Sequence, residues 1–202
     1  MKKSLVRSVG VLGALLMILL YGAPAQGATQ SRFAVKGGEA SFESCSGDIC
    51  TLTSVAAATG TVRENGQRSQ VSEIVYDQIV VDFSTFTILS DTFGTGDATV
   101  SVNGKLTSGT AAGVIPVTTC DSTGCTSGSV TVNATWSAQG SPLRDKSHET
   151  VTLPDGTKLI FSGNFTSRDA TTTTTVTVDG TDLGTPISAD LFRSKSGVLQ
   201  IS

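Results

Sequence analysis

Four cysteines, a single histidine and a scatter of aspartates are the side chains of this sequence whose types suit chemistry, and their spacing decides between rival uses. The cysteines come as two couples, Cys45-Ser-Gly-Asp-Ile-Cys50 and Cys120-Asp-Ser-Thr-Gly-Cys125. Four cysteines permit three pairings, and sequence alone does not choose among them. Geometry favours Cys45 with Cys50 and Cys120 with Cys125, because a short loop rich in Ser, Gly, Asp and Thr makes a hairpin that sets its two ends opposite each other. Closing so small a loop contributes only about 2 kcal/mol in the chain-entropy model, so such bridges clip two hairpin tips without holding the whole fold. A zinc site built from both couples is the rival, but zinc sites more often use shorter spacings and an exported chain favours disulfides. Redox chemistry usually needs Cys-x-x-Cys at a helix start. No metal and no cofactor is expected.

His148 sits in Lys146-Ser147-His148-Glu149, and any histidine-based mechanism must use it. No G-x-S-x-G turn exists in the chain, and Ser147 is merely adjacent, so His148 reads as a solvated loop residue. Asp77, Asp82, Asp91 and Asp97 offer carboxylates for a glycosidase, yet nothing marks two of them as facing across a cleft. Asp97 and Asp169 each precede Ala-Thr, which suits a turn or capping hydrogen bond. Asp179-Gly180-Thr181-Asp182 has oxygen ligands for calcium but lacks the longer alternating-acid loop, and Asp-Gly is a hairpin turn signal. The lone tryptophan, Trp136, falls on the apolar phase of its strand and is expected in the core, not on a glycan platform. No catalytic residue is assigned.

These residues must be positioned by an exported chain. Lys2, Lys3 and Arg7 precede an apolar run from Val9 to Tyr21 and an Ala23-x-Ala25 cleavage pattern, so residues 1–25 read as a signal peptide whose helix is removed. Residues 26–202 are then the secreted domain, extracellular or periplasmic, with no stable membrane insertion. Taking Lys2, Lys3 and Arg7 from 14 basic residues leaves 11 against 17 acidic ones, a balance of −6. That balance argues for no basic patch and no nucleic-acid partner.

Thr, Ser, Gly and Val dominate the mature chain, and no window gives helical periodicity. Four landmarks recur in order. The Cys couples are followed by Thr-rich strands, Phe93 with Asp97-Ala98-Thr99 answers to Phe165 with Asp169-Ala170-Thr171, and Val100-Ser-Val-Asn103-Gly104 answers to Val176-Thr-Val-Asp179-Gly180. Two tandem related units, 33–107 and 108–184, are therefore expected, packed face to face or sharing one sheet, with a closing strand in 192–202 that echoes the segment from Phe33 to Ser44. Asn65-Gly66, Asn103-Gly104, Asp155-Gly156 and Asp179-Gly180 are hairpin signals. The architecture expected is all-β, with nine to eleven antiparallel strands in a β-sandwich or a closed β-barrel. Function is expected to be non-catalytic binding of a protein, a glycan or the chain's own copies, with the clipped hairpin tips as contact surface. A hydrolase using carboxylates and His148, or a purely structural envelope protein, is the alternative.

Overall fold

The computed structural model describes residues 29–64, 66–152 and 158–201, and every regular element among them is a strand. In chain order these are β1 (Thr29–Ser46), β2 (Ile49–Glu64), β3 (Gln67–Asp82), β4 (Thr87–Asp97), β5 (Thr99–Val102) and β6 (Ser108–Asp121), then β7 (Gly124–Ser137), β8 (Leu143–Thr152), β9 (Lys158–Asp169), β10 (Thr175–Val178), β11 (Thr181–Asp182) and β12 (Ser188–Ile201). The signal segment, Asn65 and the hairpin signal Asp155-Gly156 lie outside the described residues.

All pairings are antiparallel and join the strands into one sheet in the order β11-β10-β7-β6-β4-β3-β2-β1-β12-β9-β8, with β5 beside β6. The terminal strands β11 and β8 each pair on one side only, so the sheet is not closed and the barrel expectation falls. Segments 33–107 and 108–184 lie in this one sheet. Its 12 strands exceed the nine to eleven expected because β5, β10 and β11 are short pieces set off by bends and turns. The last strand is also longer than the C-terminal piece suggested, and it bridges β1 to β9.

Turn chemistry follows the residue types. Asp179 and Gly180 take φ of 50° and 79°, the paired left-handed conformation of a tight β10–β11 turn. Asn103-Gly104 does not make such a turn; instead the Asn103 carboxamide oxygen accepts from the Thr107 amide at 2.9 Å and closes a longer loop between β5 and β6.

The strands of 14 to 18 residues are long enough to serve two different cores. In β1 the buried apolar residues are first Phe33 and Val35, then Ala40 and Phe42, so the buried face changes sides across Gly37-Gly38. The same change occurs beside it in β12, where Leu191 pairs with Gly38 and Phe192 with Gly37. Below that row, Val55, Ile74, Tyr76 and Leu191 pack against Ile115, Val132, Trp136 and Val176 of the β6–β7–β10 region, so the sheet folds over on itself. Above it, on the reverse side, Phe33, Val35, Val62 and Phe192 are buried, and the Phe192 and Phe165 rings stack at 6.2 Å.

Glycine is required at this row. A Cβ on Gly38 would lie 2.7 Å from the Trp136 indole, whose Nε1 donates to the Glu39 carbonyl at 3.0 Å; one on Gly37 would lie 2.7 Å from the Phe192 ring and 2.1 Å from the Ala57 carbonyl oxygen. Gly38→Ala is therefore expected to destabilise by about 1–3 kcal/mol through overpacking, whereas Gly104→Ala, with open space around it, shifts the thermal midpoint little. Thermal denaturation followed by circular dichroism checks the pair; equal midpoints would contradict this account of the row.

Candidate functional site

Register alone decides which charges share a face, because directly paired residues project to the same side of a sheet and residues two apart along a strand do too. One row runs Arg68, Arg63, Arg32, Gly197, Ser162 and His148 across β3, β2, β1, β12, β9 and β8. The next row on that side runs Gln70, Thr61, Ala34, Lys195, Asn164 and Lys146. A third carries Lys36, Arg193 and Arg144. Farther toward the folded-over half, the same face becomes the first core, at Ile74, Ala57 and Leu191.

The first two rows line an open concavity of about 1000 Å³. Its side chains include Arg32, Arg63, Arg68, Lys146, Lys195 and His148, and among the described residues no carboxylate lines it. The expectation of no basic patch fails here for a physical reason: net charge averages over faces, and these strands segregate their charge by face. Glu39, Glu64, Glu73, Asp77, Asp145, Glu149, Asp169 and Asp190 all fall on the opposite phase of the same strands.

Arg63 sits directly between Arg32 and Arg68. Like charges directly opposite in a sheet are destabilising. The Arg68 guanidinium donates to Thr61 Oγ1 at 3.3 Å, a neutral partner in the adjacent row. Lys36 Nζ donates to the Val102 carbonyl, which ties the third row to the edge of the first core.

The acidic side has its own coupling. Glu39, Asp190 and Asp169 are successive cross-strand partners, and burial, with Asp190 beside it, pushes the Glu39 carboxyl up to about 7. Burial also raises Glu73 and Asp77, each helped by a second carboxylate, Asp97 and Asp91 respectively.

The residues singled out in the sequence land as follows. Cys45 and Cys50 stand opposite each other with Cα atoms 4.1 Å apart and sulfurs at 1.98 Å; Cys120 and Cys125 do so at 4.0 Å and 2.06 Å. Glu43 lies beside the first couple, its Oε1 3.5 Å from Cys45 Sγ, but disulfide sulfurs are not metal ligands. His148 is in an edge strand, not a loop, and belongs to the basic row. Ser147 points to the other side, and Asp77, Asp91 and Asp97 lie on the acidic face, so the hydrolase set is split between two sides of the sheet. Asp169 Oδ1 accepts from the Thr171 amide at 2.8 Å, the expected turn bond. Asp179 Oδ1 and Asp182 Oδ1 accept from the backbone amides of Thr131 and Gly184 at 2.6 and 2.9 Å, which gives both aspartates a turn-forming role. Trp136 is buried in the first core.

Both disulfide tips lie at one end of the sheet with the β3–β4 tip between them, since Cys50 pairs with Val81 and Cys120 with Asp91. That end exposes Ile49, Phe83, Phe86, Ile88 and Leu89, with Phe83 and Phe86 packed edge to face at 6.4 Å.

No protein-family profile matches the chain, and no curated protein matches it either. Among solved structures it is similar to "Enduracididine biosynthesis enzyme MppR complexed with pyruvate", at 8% identity over 89% of each chain and a TM-score of 0.28, an overlap too low to carry any argument.

Titration of Glu39 gives a testable sign. Its folded carboxyl holds a proton at pH values where the unfolded one has lost it, so stability falls as pH rises from about 4.5 toward 7. Glu39→Gln is expected to raise the thermal midpoint at pH 8 and to leave it nearly unchanged at pH 4. A gain of equal size at both values would mean that ionisation of Glu39 is not what the substitution relieves.

Proposed function

We propose that this protein is a secreted, non-catalytic β-module whose basic concavity binds an anionic ligand. The observation that carries the reading is the Arg68-Arg63-Arg32 row: three cations held side by side on neighbouring strands, in a chain with more acids than bases, in a concavity whose described lining holds no carboxylate. A fold gains nothing from that arrangement, whereas a ligand with negative charge does, and guanidinium forks match carboxylate, sulfate and phosphate oxygens in pairs. The two disulfides fit an oxidising compartment, extracellular or periplasmic, and so support export.

Descent from two tandem units fits the same picture. The chain leaves regular strand structure at Ala98 and again at Ala170, each directly after an aspartate and each donating its amide to a neighbouring strand's carbonyl, Ser72 and Ala189. Each break is followed by a short strand and a turn at Asn103 or Asp179. Folding of the one sheet over its first core brings two layers face to face as in a sandwich, without separating it into two sheets.

A second reading is favoured by the apolar tip. An exposed aromatic and aliphatic cluster between two clipped hairpins suits contact with a protein surface. Replacing residues 46–49 and 121–124 while also changing Phe86→Ser would abolish such a contact; a pull-down unaffected by all three changes would remove the second reading.

The anion site is tested by chromatography on a sulfonate matrix at pH 7 and low ionic strength. The wild-type protein is expected to be retained despite its negative net charge, and Arg32→Glu with Arg63→Glu to flow through. Arg63→Glu alone is expected to raise stability by about 0.2–1 kcal/mol, because it turns a like-charged row into an alternating one. Flow-through of the wild type would overturn the proposal.

A further inference from the structure

The concavity differs from a small-anion pocket in its length and in what lies between its charges. From Arg68 on β3 to His148 on β8 the row crosses five strand intervals, about 24 Å at the usual spacing. The cations form an arginine pole on β3, β2 and β1, continue through Lys195 on β12, the strand beside β1, and resume at a lysine pole, Lys146 on β8. The floor is completed by the neutral Gly197, Ser162, Ala34 and Asn164, of which Ser162 and Asn164 lie on β9, the strand between Lys195 and Lys146.

Those floor residues discriminate among polyanions. A single strand of nucleic acid is held by aromatic platforms on which bases stack. Among the described lining side chains the only ring on this face is the His148 imidazole at the edge strand, for Phe33 is buried and projects to the reverse side of β1. An acidic peptide bound as proteins bind uses buried apolar anchors, and among the described lining side chains only Ala34 and Ile160 are apolar on this face. Thr61, Ser162 and Asn164 instead put hydroxyl and carboxamide groups in the two cationic rows, and each both donates and accepts. A polymer that carries a hydroxyl-rich ring between successive acidic groups uses both features together.

Resting on the anion-site reading above, we propose that the ligand is an acidic polysaccharide, laid across the strands so that successive uronate or sulfate groups meet the arginine pole and then the lysine pole. Binding is by ion pairs and hydrogen bonds, with no bond made or broken.

The experiment is calorimetric titration of the oxidised protein at one fixed ionic strength with polygalacturonate oligomers of increasing length, and with oligodeoxythymidylate, polyphosphate, polyglutamate and neutral dextran as comparators. Polygalacturonate is expected to bind at least tenfold tighter than each comparator, and its affinity to rise with length until both poles are engaged. Lys146→Glu with Lys195→Glu is expected to remove that length dependence and to weaken binding of the longer oligomers most. Equal or tighter binding of oligodeoxythymidylate, polyphosphate or polyglutamate would overturn the polysaccharide while leaving an anion site in place. Binding with no dependence on length or on the lysine pair would overturn the bridging geometry. If no polyanion binds, the anion site and its ligand fall together.

Discussion

The structure turns on two glycines. A strand of 18 residues cannot bury the same side along its whole length when the sheet folds over only part of it, so the buried side has to change somewhere. At Gly37-Gly38 it changes within one residue pair, because two large rings close on the backbone from opposite sides, Trp136 over Gly38 and Phe192 over Gly37. Any side chain there would hold one ring away, and the first core would lose the hydrogen bond from the indole to the Glu39 carbonyl. Burying and exposing are thus exchanged between the two faces at a single row, and each face gains one buried half and one solvated half.

That exchange makes the charge segregation usable. On the face that is core below the glycines, the solvated upper half carries Arg32, Arg63 and Lys195; on the reverse face, core above, the lower half carries the half-buried Glu39 and Asp190. The two sets of charge are thus kept about one sheet thickness apart, and the basic rows face solvent with neutral neighbours in the register. The arginine row therefore keeps its potential in a molecule of net negative charge, and that potential is concentrated in a concave wall where field lines converge. The cost appears on the acidic side as well, where Glu39 is buried beside Asp190 and its carboxyl is pushed up to about 7.

Strand content, the two cysteine-clipped hairpins, the Asp179-Gly180 turn and the inward Trp136 were legible because each rests on local chemistry: β-branched residues in alternation, short loops between paired cysteines, an Asp-Gly pair, and one aromatic in phase with Val132 and Ala134. The basic row was missed because net charge was read over the chain instead of along the register. It was within reach. Arg63 and Arg68 stand equidistant from the Asn65-Gly66 hairpin signal and are paired, and stepping outward equally from Cys45 and Cys50 brings Arg32 opposite Arg63. What no local pattern supplies is the neighbour of β1 on its other side, since β12 arrives from the far end of the chain and brings Lys195, while β9 and β8 beyond it bring Asn164 and Lys146. Likewise the closed barrel was a fair inference from strand number, and closure fails only because β8 and β11 do not meet, a fact of twist and order that alternation does not encode.

The disulfides acquire a role from the same register. As loop closures they add little, since so few residues separate each couple. As pins they do more. Slipping one strand of a pair by a single residue turns every side chain to the other face, and in the β1–β2 hairpin that slip would carry either Arg32 or Arg63 to the acidic side. Thr and Gly on both strands resist such a slip weakly, having small or similar side chains on both faces. Cys45 opposite Cys50 removes the alternative outright, at the end of the hairpin farthest from the arginines, so the row is held in register by a bond that never touches it. The repulsion among Arg68, Arg63 and Arg32 then acts against a covalently fixed pairing and the two glycine-seated rings, and cannot be relieved by a change of register.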